Sequence, residues 1–307
     1  MSHDHHAHTH SHAHAPANYG RAFAIGIALN LIYVAAEAGY GLAAGSLALL
    51  ADAGHNLGDA LGLALSWGAA VLGRRGPSDR FTYGLRSSSI LAALGNALIL
   101  LVVTGGIAWE AILRLGHPVA VAGGTVAAVA AIGIVVNGVT ALLFARGRGR
   151  DLNLRSAFLH MAADALVTAG VVVAGIAIAL TGLLWLDPAV SLVLSAVIVY
   201  GAWDLVKQAL HLALDAVPPG VDAGAVRAHL LALPGVAALH DLHIWGMSTT
   251  ETALTCHLIM PGGHPGDAAL SRIADELEHR FGVHHTTLQV ELGDSDAVCA
   301  LTPEHVV

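Results

Sequence analysis

Between residues 20 and 210 the chain alternates long apolar stretches with short polar ones. Six stretches, at about 22–44, 47–72, 89–112, 120–145, 156–181 and 187–209, reach the roughly 20 residues a helix needs to cross a hydrocarbon core. Val119 to Ala145 and Ala165 to Leu186 carry no charge, whereas the first and third stretches carry Glu37 and Glu110. Past residue 210 the period shortens. VPPGVD (217–222) ends the sixth helix with prolines and reads as a linker. VDAGAVRAHLLAL is amphipathic and predicts a helix, residues 236–245 and 252–260 alternate as strands around GMSTTE, residues 266–281 predict a second helix, and TTLQVEL (286–292) predicts a third strand. The pattern predicts an all-α six-helix transmembrane domain over 21–209, a linker over 210–220 and a small α+β domain, ordered α-β-β-α-β, over 221–295. Residues 1–20 form a His-rich tail expected to be disordered, and residues 296–307 a second tail.

Composition agrees with lipid as the solvent. Only 12% of the 307 residues are charged and 55% are hydrophobic, where soluble domains carry about 25% charged residues. Basic residues cluster in two loops: Arg74, Arg75, Arg80 and Arg86 after the second stretch, and Arg146, Arg148, Arg150 and Arg155 after the fourth. The loops after the first and fifth hold none, and the third contributes Arg114 alone. The positive-inside rule places both basic loops, and therefore both termini, in the cytoplasm. Cys256 and Cys299 have no C-x-x-C spacing and suggest no disulfide framework, which fits a reducing compartment. Nothing reads as a nucleic-acid signature. MSHDHHAHTHSHAH holds seven of the 20 histidines, lacks the features of a signal peptide, and reads as weak multi-site metal capture.

Inside the apolar frame, ADAGHNLGDALGL (51–63) carries Asp52, His55, Asn56 and Asp59. His55 and Asp59 are four residues apart, as are His160 and Asp164 in the fifth stretch, so each helix offers one imidazole and one carboxylate on one face. Opposed, the two faces supply a tetrahedral His2Asp2 set that suits zinc. A lone polar residue in a span is more simply a helix–helix hydrogen bond, the reading given to Asn30, Asn96 and Asn137. A charge at mid-bilayer costs at least about 2.5–3.5 kcal/mol, and a structural cluster needs no repeated spacing. A third pair, His211–Asp215, lies beside the prolines at the membrane edge and reads as a solvated helix end. Asp52, one turn before His55, reads as an entry residue or an outer partner of the site; His117 reads as an outer-side loop residue. Zinc takes neutral imidazole and ionised carboxylate, so metal and protons compete for one set of groups. A site opened alternately to the two sides exchanges a divalent cation for protons.

LLADAGHNLGDALGL, FTYGLRSSSILAAL, LHMAADALVTAG and LHDLHIWGMS, in that order, make residues 20–292 resemble the cation diffusion facilitator family, of the bacterial zinc-exporter type. The resemblance implies six spans, a metallochaperone-like cytoplasmic domain, a homodimer in the inner (cytoplasmic) membrane, and Zn2+/H+ antiport out of the cytoplasm. With His55 in the site it implies Zn2+, with Cd2+ as a secondary substrate. It also implies a cytosolic zinc site at His240, His257 and Glu291, with Cys299 as a further ligand; the plainer alternative is that these are exposed strand residues. His243 has no assigned role, and Trp245 reads as packing or interface. Three departures stand out. The loop GPSDRFTYGLRSSS has no histidine, so the third metal site of some relatives is expected to be absent and Asp79 to form an ion pair. Ser87, Ser88 and Ser89 replace an acidic position, leaving Arg86 for lipid phosphate or the C-terminal domain. RGRGRDLNLR stands where many eukaryotic relatives have a His-rich loop. No enzyme is expected: an intramembrane metalloprotease needs a His-Glu-x-x-His helix, which does not occur. A metal sensor or store leaves the paired ligands inside the membrane unexplained, and import through the same site is the remaining alternative.

Overall fold

The computed structural model describes residues 19–73, 75–145, 152–293 and Cys299; the side chains of 19–27, Leu63, Ser66, Trp67, Ala70, 143–145 and 152–161 fall outside that description, as does the His-rich tail. Six long helices come first: α1 Tyr19–Ala44, α2 Leu47–Gly73, α3 Ser88–Gly116, α4 Gly123–Ala145, α5 Leu152–Thr181 and α6 Leu186–Ala213. Among the described residues, Ser88–Gly116, Gly123–Leu142, Ala162–Thr181 and Leu186–Ala213 are long and apolar enough to cross a membrane, and Ala28–Ala44 is a shorter apolar stretch. Large apolar side chains face outward, Leu180 and Tyr200 at 82% exposure, which suits a surface bathed in lipid rather than water.

The chain divides into two compact units, one of residues up to 60 with 104–196, the other of 61–103 with 197 onward. In the first, α1 hands over to α2 through Gly45, whose φ of 66° gives the left-handed turn that closes a helix; Ser46 N–H donates to Gly41 O at 2.9 Å. Ser46 then caps α2, accepting from Leu49 N–H at 3.2 Å. Asp187, from the first turn of α6 and 1% exposed, receives the same helix end: Ser46 Oγ at 2.5 Å, Leu47 N–H at 2.8 Å and Ala48 N–H at 3.3 Å all donate to its carboxylate. The unpaired N–H groups and positive dipole end of α2 make this a natural seat for a buried anion. Arg114 closes the turn from the other side, donating to Gly45 O at 2.6 Å while paired with Glu110 at 2.9 Å.

Helices α4 and α5 approach through bare backbone. A Cβ on Gly123 would lie 2.6 Å from Gly175 O, and one on Gly175 would lie 2.6 Å from Ala127 N. Packing of this kind drives helix association where lipid removes the hydrophobic incentive. Leu49, Val126, Ala130 and Val171 fill the adjoining core. Asn137 departs from expectation: it is fully buried on α4, yet makes no hydrogen bond among the described residues.

In the second unit, α7 Ala223–Leu231, β1 Ala238–Gly246, β2 Thr252–Ile259, α8 Asp267–Phe281 and β3 Val283–Glu291 form the α-β-β-α-β order. Asp222 caps α7, accepting from Ala225 N–H at 3.0 Å. Gly282 (φ 69°) ends α8 and turns the chain straight into β3, so the strand starts three residues before the predicted 286. The sheet order is β1-β2-β3, with β1 antiparallel and β3 parallel to β2. Val226, Leu230, Leu254, Cys256, Leu258 and Leu277 make its core, which leaves the alternate side chains of β2, His257 among them, on the opposite face. Arg86 binds Glu251 at 2.7 Å, Ser87 Oγ donates to Met247 O at 3.2 Å, and Thr249 N–H donates to Ser89 Oγ at 3.1 Å, so the serine run docks on the β1–β2 turn. Asp79 does not form the expected ion pair among the described residues; it is exposed, and water solvates it there.

Replacing Asp187 with Ala strips three buried donors of their acceptor. We expect a loss of about 1–3 kcal/mol, against about 1 kcal/mol for Ser46→Ala, both read as lower unfolding midpoints in detergent. Equal midpoints for parent and Asp187→Ala would show that the cap does not hold α2.

Candidate metal centres

Helical spacing brings the first centre together. On α2, His55 and Asp59 share a face, with His55 Nε2 3.7 Å from Asp59 Oδ2. From α5, Asp164 places Oδ1 3.3 Å from the same nitrogen. Ligand atoms of the three all lie within 4.8 Å of one another. Donors held about 2.0–2.2 Å from a zinc ion stand roughly 3.3–3.6 Å apart at the corners of a tetrahedron, and the two distances fall at that scale. Asp164 is 4% exposed, while the His55 and Asp59 side chains are 22% and 31% exposed. His160 lies on α5 four residues before Asp164, and its side chain is outside those described. Thr168, one turn further along α5, is hydrogen-bonded to the backbone oxygen of Asp164 at 2.9 Å and to Asp52 Oδ2 at 3.0 Å. Asp52 is therefore a neighbour of the centre, held through Thr168. His211 and Asp215 of the third pair are exposed at the end of α6 and make no bond to each other.

Strand register builds the second centre. His240 of β1 pairs directly with His257 of β2, and Glu291 lies two residues beyond the partner of His257 on β3, on the same face. His257 Nδ1 is 3.2 Å from His240 Nε2 and 2.8 Å from Glu291 Oε1; His240 Nε2 is 3.5 Å from that oxygen. Cys299 Sγ joins at 3.7 Å from His257 Nδ1. Two nitrogens, a carboxylate and a sulfur thus converge, a donor set that fits a borderline-soft cation such as zinc. His240 is 7% exposed and its Nδ1 has no hydrogen-bond partner among the described residues.

Sequence reasoning missed Asp241. It sits at a bulge between His240 and His243, with the left-handed φ of 52°, and its two oxygens meet His243 Nε2 at 2.8 Å and His257 Nε2 at 3.6 Å. The bulge re-aims the side chain, and Asp241 backs the histidine nitrogen that points away from the cluster, which fixes ring orientation in metal sites. The one available signal was an Asp between two His in LHDLH.

Residues 23–212 match the cation efflux transmembrane domain and residues 218–292 the cation efflux protein cytoplasmic domain. The chain belongs to the cation efflux family. It is a multi-pass membrane protein that handles metal cations, not an enzyme. It is 34% identical over 273 residues to the metal cation efflux system protein CzcD of Cupriavidus metallidurans, covering 89% of this chain and 86% of that one. Against the zinc transporter ZitB of Escherichia coli it is 34% identical over 271 residues, 88% and 86% of the two chains. The cadmium, cobalt and zinc/H(+)-K(+) antiporter of Bacillus subtilis is 32% identical over 264 residues, 84% and 85%. A solved structure described as the metal-bound C-terminal domain of the CzcD transporter is 36% identical over 24% of this chain and all of that one, at a TM-score of 0.22.

The two thiols are set apart by position. Cys256 is 1% exposed in the sheet core, and burial pushes its pKa up to about 12, so it stays a thiol at neutral pH. Cys299 is partly exposed beside His257. Iodoacetamide at pH 7.5 with zinc chelated is expected to label Cys299 in the folded protein and Cys256 only on unfolding; saturating zinc should slow labelling of Cys299 at least ~10-fold. Labelling of Cys299 at one rate with and without zinc would remove it from the donor set.

Proposed function

We propose that this member of the cation efflux family exports Zn2+ from the cytoplasm in exchange for protons, with Cd2+ as a secondary substrate. The transport site is a His2Asp2 set of His55, Asp59, His160 and Asp164. The protein works as a homodimer in the inner (cytoplasmic) membrane, with both termini and the His-rich tail in the cytoplasm. The observation that carries this reading is the approach of His55 Nε2 to carboxylates of two different helices, at 3.3 and 3.7 Å, within an apolar bundle. One nitrogen facing two carboxylates is a seat for a divalent cation when the imidazole is neutral, and for protons when it is not. Deprotonation on the cytoplasmic side loads the ion; protons arriving from the other side displace it. The names of the ZitB and Bacillus relatives support zinc as cargo and an ion-exchange mechanism.

His240, His257, Glu291 and Cys299 form a separate cytoplasmic site that holds a resident zinc ion. There the ion ties β1, β2 and β3 together and takes up Cys299, which follows the last strand. Asp241 orients His257 for it.

In proteoliposomes under an imposed pH gradient, the parent should drive zinc flux and Asp164→Ala should lose more than the roughly 10–100-fold that removal of an outer partner costs a metal site. A folded Asp164→Ala that transports at the parental rate would rule out the membrane centre as the transport site. His55→Asp should keep flux but raise the Cd2+ and Mn2+ rates relative to Zn2+, because a harder all-oxygen ligand set discriminates less for zinc. An unchanged ratio of rates would take the selectivity role away from His55.

A further inference from the structure

Glu37 on α1 and Asp52 on α2 are 0% and 1% exposed, as deeply buried as Asp187, yet no backbone N–H bonds to either among the described residues. The two carboxyl groups hydrogen-bond each other. Carboxylate oxygens only accept, so two carboxyls bond only when one carries a hydrogen. Thr168 leads to the same count by a separate route. Its Oγ1 stands 2.9 Å from the backbone oxygen of Asp164 and 3.0 Å from Asp52 Oδ2, both acceptors. The hydroxyl has one hydrogen to give. Both contacts are hydrogen bonds at once only when Asp52 is itself protonated and donates to Thr168. Glu37 is already supplied, by the Tyr33 hydroxyl at 2.6 Å on one oxygen and the Asn56 amide at 3.4 Å on the other. Glu37 is thus the acceptor of the pair, and the proton belongs to Asp52.

The charged and titratable groups around the pair are few. Tyr33 faces it from α1; His55, from α2, and Asp164, from α5, both act on Asp52 through their charge. Helix α4 brings no titratable side chain among the described residues, only Val129 O at 3.5 Å from Tyr33. On α6, Asp187 is engaged at the start of α2. His160 of α5 lies outside the described side chains.

We infer that Glu37 and Asp52 share one proton inside the membrane, and that this proton leaves when a divalent cation enters the centre of His55, Asp59 and Asp164. The second clause rests on the transport reading above. Without the cation, the pair is a carboxylic acid bonded to a carboxylate, with net charge −1. When the cation arrives, its two positive charges act through a low-dielectric interior on a proton next door. The O–H bond of Asp52 breaks, the proton passes to water, and the Thr168 hydroxyl turns its hydrogen from Asp164 O to the new carboxylate. Glu37 keeps Tyr33 and Asn56. The antiporter then moves a proton that none of its metal ligands holds.

The test is an infrared difference spectrum, zinc-bound minus zinc-free, on the full chain in lipid nanodiscs, with protons released per zinc counted in parallel. The zinc-free parent is expected to show a carboxylic-acid C=O band that zinc removes. Glu37→Gln and Asp52→Asn each put an amide hydrogen where the shared proton sits, so both should still bind zinc, lose that spectral change, and release about one proton fewer per zinc. If one variant folds poorly, the other reports on the same proton. A zinc-sensitive acid band that persists in the folded variants, or a parent whose band ignores zinc, overturns the inference. Asp164→Ala separates it from its premise. Loss of the zinc effect there upholds the coupling, whereas an undiminished effect in Asp164→Ala removes the transport-site reading itself.

Discussion

A carboxylate in hydrocarbon has to be met by hydrogens or by positive charge, and the helical region is arranged around that demand. Each such group costs at least about 2.5–3.5 kcal/mol to place at mid-bilayer, while a hydrogen bond to a charged group returns only about 1.5–3 kcal/mol. A single donor does not close the gap; several must converge. Asp187 collects the open end of α2, with Ser46, Leu47 and Ala48. Asp164 meets His55 from across the bundle. Asp52 and Glu37 draw on Tyr33, Asn56, Thr168 and each other. Each solution takes atoms from different helices, so meeting the charges also fixes which helices meet.

That convergence is affordable only because backbone approaches backbone elsewhere. Side chains on Gly123 and Gly175 would hold α4 and α5 apart, and one on Gly133 would overlap the Tyr33 hydroxyl. Tyr33 is the donor to Glu37, so a glycine on α4 sets where a proton-bearing network on α1 and α2 can sit. The abundance of glycine in this chain is therefore tied to its chemistry as well as to its packing.

Much of this was legible in the residues, for reasons that differ by element. The helices followed from uninterrupted apolar length, which has few alternative readings in lipid. His55 with Asp59 followed from the four-residue repeat, because helix geometry alone places them together. His240, His257 and Glu291 were recognised through family likeness; the pairing of His240 with His257 depends on register, which the strand pattern does not state. Asp187 and Glu37 were not legible as functional. A single Asp at the start of a helix reads as an ordinary first-turn acid, and a single Glu in a span announces no partner. Both find their partners across contacts that no local spacing encodes. Asn137 and Asp79 show the converse: a rule that holds for polar groups in general assigned them hydrogen bonds or ion pairs that they do not make among the described residues.

The two centres solve one coordination problem under opposite requirements. In the sheet, His257 is gripped from both sides, by Glu291 at one nitrogen and Asp241 at the other, and a thiol completes the set. Orientation from behind and a sulfur donor both deepen a metal site. A site of that kind keeps its ion. In the membrane the donors are nitrogen and carboxylate oxygen, and His55 and Asp59 remain 22% and 31% exposed. Such a site binds without a sulfur to hold the ion, and two of its ligands stay within reach of competing protons. A transporter gains nothing from an ion it cannot release, so the shallower, wetter centre is the one suited to turnover and the gripped one to permanence.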